Sequence, residues 1–275
     1  MRNYWLGGVL LAIALSWIGN LTYYHSQKLE APLFLEHYYE IPASLGTFSI
    51  YYIRNADSKR DLVSVQLDGQ AWYVQHIASR DRKGRLELVE AFLMQRLPGS
   101  SEEGLKEVNE ASEGKAFFSD GFSMHVTLGQ IRIYPDMDQE IAGRLSATMS
   151  SGSSGNWTYE NKTSYSVNEK VTVAAAEFGF TDVLDGAATV EINGAAVQEN
   201  GVVGLDLKQG NSFSTSITVY LPKTDERRRH AYWNRLALKD DQGRVVAQDY
   251  MNIQPQLYGG DLKHYVKQRK AVSGS

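Results

Sequence analysis

The residues best suited to nucleophilic chemistry lie in the stretch Gly152-Ser153-Ser154-Gly155-Asn156. It approaches G-x-S-x-G, the elbow that lifts a serine onto a sharp strand-to-helix turn and exposes its Oγ. Asn156 replaces the final glycine, and the stretch belongs to a Gly/Ser run without the strand and helix that the elbow needs. Ser112-Glu113-Gly114-Lys115 spells S-x-x-K. The companion motifs S-D-N and K-T-G are each missed by one residue, at Ser119-Asp120-Gly121 and Lys162-Thr163-Ser164. Patterns this short arise by chance, so both read as polar loop.

Carboxylates and imidazoles are the next candidates. Asp136-Met137-Asp138-Gln139-Glu140 spaces three acids like the start of a calcium loop. That loop also requires Gly at its sixth position and Glu at its twelfth, where this chain has Ile141 and Ala147. The six histidines, His25, His37, His76, His125, His230 and His264, form neither H-x-H nor H-E-x-x-H. Nothing in their spacing gathers the three or four ligands that zinc needs. Asp120, Asp136, Asp138 and Asp182 are the acids a fold would have to bring together for paired-carboxylate hydrolysis of a glycan. No residue is thereby assigned a catalytic, cofactor-binding or metal-binding role, and no cofactor is expected.

Two basic clusters remain. Arg227-Arg228-Arg229-His230 follows Asp225-Glu226, which reads as a partly neutralised, solvated loop. In the tail, Lys263, Lys267 and Lys270 recur at i, i+4 and i+7, with Arg269 beside them and no acid after Asp261. Such a tail either frays in solvent or touches anionic lipid or an anionic wall polymer. Three N-x-S/T sequons begin at Asn20, Asn156 and Asn161, and they matter only in a host that glycosylates.

The elements that must position these side chains follow from composition. In 275 residues, 43% are hydrophobic and 22% charged, the balance of a globular protein. The 16 Tyr, 5 Trp and 9 Phe suit pleated surfaces, and 24 Gly against 6 Pro suits many tight turns. A net charge of −4 gives no global basic field for nucleic acid. There is no cysteine, which excludes disulfides, thiolate metal sites and cysteine nucleophiles. A cysteine-free extracytoplasmic protein fits a bacterial envelope better than a eukaryotic secretory route.

Residues 4–24 carry no charge. They make roughly 30 Å of helix, enough to span a bilayer. Tyr4 and Trp5 stand at one end and Tyr23 and Tyr24 at the other, like an interfacial aromatic belt. No small-residue pair marks a cleavage site, so the segment reads as a retained signal anchor within residues 1–30, with the lipid bilayer as its partner. Arg2 places the N-terminus in the cytoplasm and the body outside.

The body is expected to be mainly β. In residues 62–77, alternating Val63, Val65 and Leu67, then Asp68-Gly69, then alternating Trp72 and Val74 predict a tight hairpin. Val190, Ile192, Asn193-Gly194, Ala195 and Val197 predict another. Further strands are expected at 46–54, 85–96, 122–134, 170–176, 212–221, 231–239 and 244–253, with 97–115 as a polar, acidic surface excursion. A Gly/Ser-rich linker at 143–156 divides a β-rich domain 1 (31–142) from a β-sandwich-like domain 2 (157–258), followed by a basic tail (259–275). The spacing of short strands and turns resembles an immunoglobulin-type sandwich in architecture, without the cysteine pair of that fold.

The expected function is accordingly non-enzymatic: a membrane-anchored interaction, assembly or sensing module with a protein or glycan partner in the envelope. Two alternatives are an enzyme acting on an envelope glycan and a regulatory partner of another membrane protein through the helix itself.

Overall fold

The computed structural model describes residues 2–26, 28–95, 108–197 and 201–273, with side chains for all of these except 2–7, 23–26, 139 and 271–273. In chain order the elements are α1 (Arg2–Ser26), β1 (Leu33–Phe34), β2 (His37–Pro42), β3 (Thr47–Asn55), β4 (Leu62–Leu67), β5 (Gln70–Lys83), β6 (Leu86–Gln95), β7 (Asn109–Phe118), β8 (Ser123–Tyr134) and α2 (Gln139–Ala142). They continue with β9 (Leu145–Gly155), β10 (Thr158–Val167), β11 (Val171–Phe178), β12 (Ala188–Ile192), β13 (Ala195–Val197), β14 (Val202–Leu207), β15 (Ser212–Tyr220), β16 (Ala231–Lys239), β17 (Val245–Ile253) and α3 (Gly260–Ser273).

Strands β3-β6-β5-β4-β7-β8 form one run of a 12-stranded sheet. The stretch holding β1 and β2 bonds both ends of that run. β1 pairs antiparallel with β3 and β2 pairs parallel with β8, so the run closes on itself. Its interior holds one hydrophobic cluster, including Tyr39, Phe48, Ile50, Val65, Trp72, Leu93 and Leu128.

The same stretch is where the chain forks. Leu35 N–H still bonds Tyr51 of β3 at 3.0 Å, and from Glu36 onward the strand bonds β16 instead, through Ala231 N–H to Glu36 O at 3.0 Å. β16 leads into a second unit. β14, β11, β16 and β17 form one layer, and the 5-stranded sheet β13-β12-β15-β10-β9 forms the other. Their facing side chains make the second cluster, with Tyr165, Val173, Ile217, Val219, Leu236 and Val246 at its centre. The second unit is therefore a sandwich, and the first closes on itself instead of stacking two sheets.

Both predicted hairpins are present. Asp68 (φ 44°) and Gly69 (φ 77°), and Asn193 (φ 52°) and Gly194 (φ 76°), adopt the left-handed backbone that two-residue hairpins need. Leu67 faces Gln70 and Val65 faces Trp72, as expected. Val63 is the exception: a bulge between Leu62 and Ser64 against β7 turns Leu62 inward and leaves Val63 46% exposed.

Several expectations are corrected. Residues 145–155, read as flexible linker, are strand β9. Gly and Ser composition lowers intrinsic strand preference, but a ladder with β10 that runs its length, with one bulge at Thr148, overrides it. Residues 109–115, read as surface excursion, belong to β7; residues 97–107 of that excursion lie outside the described residues. The described part of the basic tail is neither frayed nor loose. It forms α3, which buries Leu262, Tyr265 and Val266 against the first cluster.

α1 is a single 25-residue helix. Every described side chain along it, from Gly8 to Thr22, is exposed, including Leu10, Leu11, Leu15, Trp17, Ile18 and Leu21. Among the described residues no helix is long and apolar enough to cross a membrane. The flanking aromatics Tyr4, Trp5, Tyr23 and Tyr24 have side chains outside the described set.

Candidate functional site

β10 alternates with period two: Tyr159, Asn161, Thr163, Tyr165 and Val167 are buried and the residues between them are not. That pattern belongs to a strand with one face on a core. β9 runs antiparallel beside it, from Gly155 opposite Thr158 to Leu145 opposite Val167. The other edge of β9 pairs with no strand among the described residues. Of its 11 residues only Leu145 is buried, and none is charged or proline. Edge strands are normally kept short, bulged or studded with charge, because an open row of N–H and C=O groups templates pairing with another chain.

The other edges are blunted. Among the described residues, β1 has 2 residues and β13 has 3. The pairing of β14 with β11 is interrupted between Val173 and Ala175, in the middle of a 6-residue strand, whereas the one bulge of β9, at Thr148, lies near its start. Two outer carbonyls of β17 are taken from inside the sandwich: Asn161 Nδ2 donates to Tyr250 O at 3.2 Å and the Tyr165 hydroxyl to Gln248 O at 3.4 Å.

A trough of about 220 Å³ separates β9 from β17. Gly152, Ser153 and Ser154 form one bank, Tyr250, Met251 and Asn252 the other, with Tyr159 and Asn161 between them. Ser150, Gly152 and Ser154 stand opposite Thr163, Asn161 and Tyr159, so they share the core-side face of the sheet. Their side chains are too short to close the gap to β17, and they stay exposed.

Beside the trough lies a buried polar patch. Asp249 Oδ1 accepts from Asn161 Nδ2 at 3.0 Å and from Tyr250 N–H at 2.8 Å, and Oδ2 accepts from Thr215 Oγ1 at 3.4 Å. All three donors are neutral. Burial, and then the Asp249 charge, push the Tyr165 phenol well above its ordinary pKa. Thr163 Oγ1 donates to Ser150 Oγ at 3.1 Å, tying the patch to the open strand.

A second polar cluster clasps the closed unit to the sandwich. The buried Glu40 carboxylate accepts from the Tyr134 hydroxyl at 3.0 Å and Arg235 N–H at 3.2 Å, with Arg132 Nη1 3.6 Å away. Nearby, Glu36 accepts from Tyr38 at 3.0 Å and Arg269 at 3.1 Å, and His230 Nδ1 lies 3.6 Å from it. Burial lowers the His230 pKa, against the opposing pull of Glu36. Each carboxylate of the clasp has a guanidinium within reach, Arg132 for Glu40 and Arg269 for Glu36, and the arrangement joins the two units.

The residues singled out by motif are dispersed. Ser153 and Ser154 lie in β9, and Ser112 and Lys115 in β7. Asp120 pairs with Arg60 at 2.7 Å, Asp136 accepts Ser44 N–H at 3.0 Å, Asp138 caps α2 through Glu140 N–H at 3.0 Å, and Asp182 is exposed in the loop after β11. Asp120 and Asp136 flank opposite ends of the 12-residue β8. That is roughly 40 Å, against roughly 5–10 Å for a glycosidase pair. Among the described residues no group of three His, Cys, Asp or Glu is placed to hold a metal ion. Residues 227–230, expected as a solvated loop, are a correction: Arg228 is 2% exposed and bonds Asp261 and Gln256 O, each at 2.7 Å.

Sequence reasoning missed β9 as a site because its composition resembled a linker. The available signal was the alternation of Tyr159, Asn161, Thr163, Tyr165 and Val167, which marks β10 as a strand with one face on a core and so in need of a paired neighbour.

The geometry defines a mainly β protein with two sheets and an open strand edge. No family model matches the chain, and no curated protein matches it. Among solved structures, it is similar to the YadV chaperone at 8% identity and a TM-score of 0.24, over 80% of this chain and 98% of that one. It is also similar to a protein of unknown function from Porphyromonas gingivalis W83, at 10% identity and a TM-score of 0.25, over 80% and 94% of the two chains. A third is the CsuC-CsuE chaperone-tip adhesion subunit pre-assembly complex of Acinetobacter baumannii, at 10% identity and a TM-score of 0.17, over 81% and 97%. Likenesses at this level carry no argument about what the chain does.

Proposed function

We propose that this protein is a membrane-anchored interaction module of the cell envelope, and that it binds by taking up an extended segment of another envelope protein as an added strand along β9. The single observation that carries the reading is the edge itself: 11 residues, uncharged, without proline, unpaired among the described residues, and broken only by one bulge at Thr148, which leaves Met149–Gly155 as a continuous open edge. Strand addition supplies affinity through main-chain hydrogen bonds and specificity through pockets for alternate side chains. The β9–β17 trough is such a pocket. Apart from Leu145, which is buried in its own core, a second copy of β9 would bring only Ser, Gly, Ala, Thr and Met to it, whereas a partner strand with larger apolar side chains fills it over Met251.

The anchor is part of the same proposal. A helix whose apolar side chains are exposed on all sides matches a hydrocarbon surrounding. With α1 in the bilayer and Arg2 behind it, the body stands on the extracytoplasmic face.

The test is a photo-crosslinking amino acid placed at Ser151 or Ser153 in the cell-expressed full chain, with Ala196 on the opposite edge as control. The expected result is one partner, crosslinked through a contiguous extended peptide from β9 positions only, and lost in a Ser151→Lys/Ser153→Lys variant that keeps the wild-type melting temperature. Crosslinks to a second copy of the chain, or equal yields at Ala196, would sink the proposal.

A further inference from the structure

We propose that the exposed face of α3 lies against an anionic membrane surface and orients the body on it; the inference rests on the anchor reading above. α3 presents its inward side through Leu262, Tyr265 and Val266 and its outward side through His264, Lys267 and Lys270. These outward residues follow i, i+3 and i+6, a continuous basic stripe on one side of the helix. Lys263, expected on that stripe, instead rests half-buried, its side chain near Gly84.

The stripe has a fixed place relative to α1. Lys270 Nζ donates to Lys28 O at 3.0 Å. Lys28 follows Ser26, the last residue of α1, by two positions. Two residues of chain reach at most about 7 Å, so the C-terminal end of α3 sits at the exit of the anchor however the helix is tilted. Arg269 Nη1 pins the same end to Glu36 at 3.1 Å. Lys28 is itself exposed, which adds a third ammonium group to Lys267 and Lys270. Two exposed carboxylates stand near them: Glu30, two residues from Lys28, and Glu226, 67% exposed, which accepts from Gln268 Nε2 at 3.2 Å at the His264 end of the stripe and leaves the Lys267–Lys270–Lys28 end as the cationic one.

Cations held this close to a bilayer are attracted by anionic headgroups within about a Debye length, near 8 Å at physiological salt. α3 is rigidly docked, so attraction at its end restrains the whole body and not only a tail. That restraint would fix the direction in which β9 faces.

The test uses the full chain in nanodiscs of phosphatidylcholine, with or without added phosphatidylglycerol, and reads amine acetylation by mass spectrometry. Lys267 and Lys28 are expected to react several-fold more slowly in the anionic discs, with the difference gone at about 1 M salt, where the Debye length is about 3 Å. Lys162, exposed in β10, should react equally in both. Lys267→Glu/Lys270→Glu, with α3 still held by its inward apolar side, should reduce the lipid dependence at Lys28 to what its place beside the anchor alone gives it. Equal rates at Lys267 in both discs would overturn the inference and leave the anchor standing. Failure of the chain to enter neutral discs would overturn both. Stronger protection by dissolved polyglutamate than by anionic discs would overturn the lipid assignment in favour of a polymer.

Discussion

The imidazole Nε2 of His37 accepts the backbone N–H of Tyr51 at 2.8 Å. This bond sits at the fork where the first strand leaves β3 for β16, and it replaces the ladder partner that Tyr51 loses there. Nδ1 of His37 faces Leu128 O at 3.2 Å, so it carries the ring proton and donates it. The pair of contacts requires a neutral ring, and burial, opposed by the Leu128 bond, lowers the His37 pKa from 6.5 to about 3.

Stability should therefore fall as the solution is acidified. Between pH 6.5 and about 3 the unfolded chain binds a proton at His37 that the folded chain does not. The contribution is complete above pH 6.5 and is lost by about 1.4 kcal/mol per pH unit below it. His230, also lowered, adds to the loss with the same sign. Asp225 and Asp240 are lowered too, from 3.8, so their stabilising contribution is lost only in more acidic solution, around and below that value. Urea midpoints at pH 7 and pH 5 isolate the histidines. His37→Gln keeps an acceptor and does not titrate; it should be less stable at pH 7 and lose less on going to pH 5. Parallel losses in the two proteins would refute the role given to His37.

Gly179 packs against the Glu40 carboxylate so closely that any Cβ would occupy the position of the carboxylate itself. Gly179→Ala should cost about 2–3 kcal/mol, because Glu40 cannot move without leaving Tyr134 and Arg235 N–H unanswered. In a Glu40→Ala background the same substitution should cost at least about 1 kcal/mol less, a coupling of the size found between residues in contact. Additive costs in the double-mutant cycle would show that the two residues are independent.

Much of the fold is legible in the sequence where one local rule decides the structure. Asp68-Gly69 and Asn193-Gly194 set their turns because few residue types accept two successive left-handed positions. Val63 was misread because a bulge depends on β7, fifty residues further on, and no local pattern encodes it. β9 was misread because Ser and Gly are ambiguous between linker and edge strand until a neighbour supplies the ladder. Arg228 carried no signal at all. Its charge predicts exposure, and only the later arrival of Asp261 and Gln256 O makes burial tolerable. The candidate site was the least legible part, since an open edge is defined by what does not pair with it.

Arg228 joins the short helix at Glu226–Arg229 to α3 through Asp261, and its guanidinium lies 5.4 Å from the Trp157 ring centroid. Arg228→Ala should cost about 2–4 kcal/mol, below the figure for a fully buried pair because Asp261 is 29% exposed. The loss should be local first. Hydrogen exchange in α3 should accelerate at least tenfold while β15 and β16 stay protected. Uniform acceleration across all strands would mean that α3 is not an independent docking unit.

Asp249 tests the polar patch beside the open edge. It is a buried carboxylate bonded by three neutral donors, an arrangement that leaves its desolvation only partly compensated. In Asp249→Asn the amide oxygen can still accept from Asn161 and Tyr250 N–H, and the new NH2 can donate to Thr215 Oγ1. All three contacts survive without the charge, so stability at pH 7 should be unchanged or rise by up to about 2 kcal/mol. Asp249→Ala removes the acceptor outright, leaves Thr215 without it, and should cost about 1–3 kcal/mol. Denaturant midpoints for the two variants separate the charge from the hydrogen bonds. If Asp249→Asn were as damaging as Asp249→Ala, the charge itself would be compensated by a group other than these three donors, and the patch would have to be read as an ionic site.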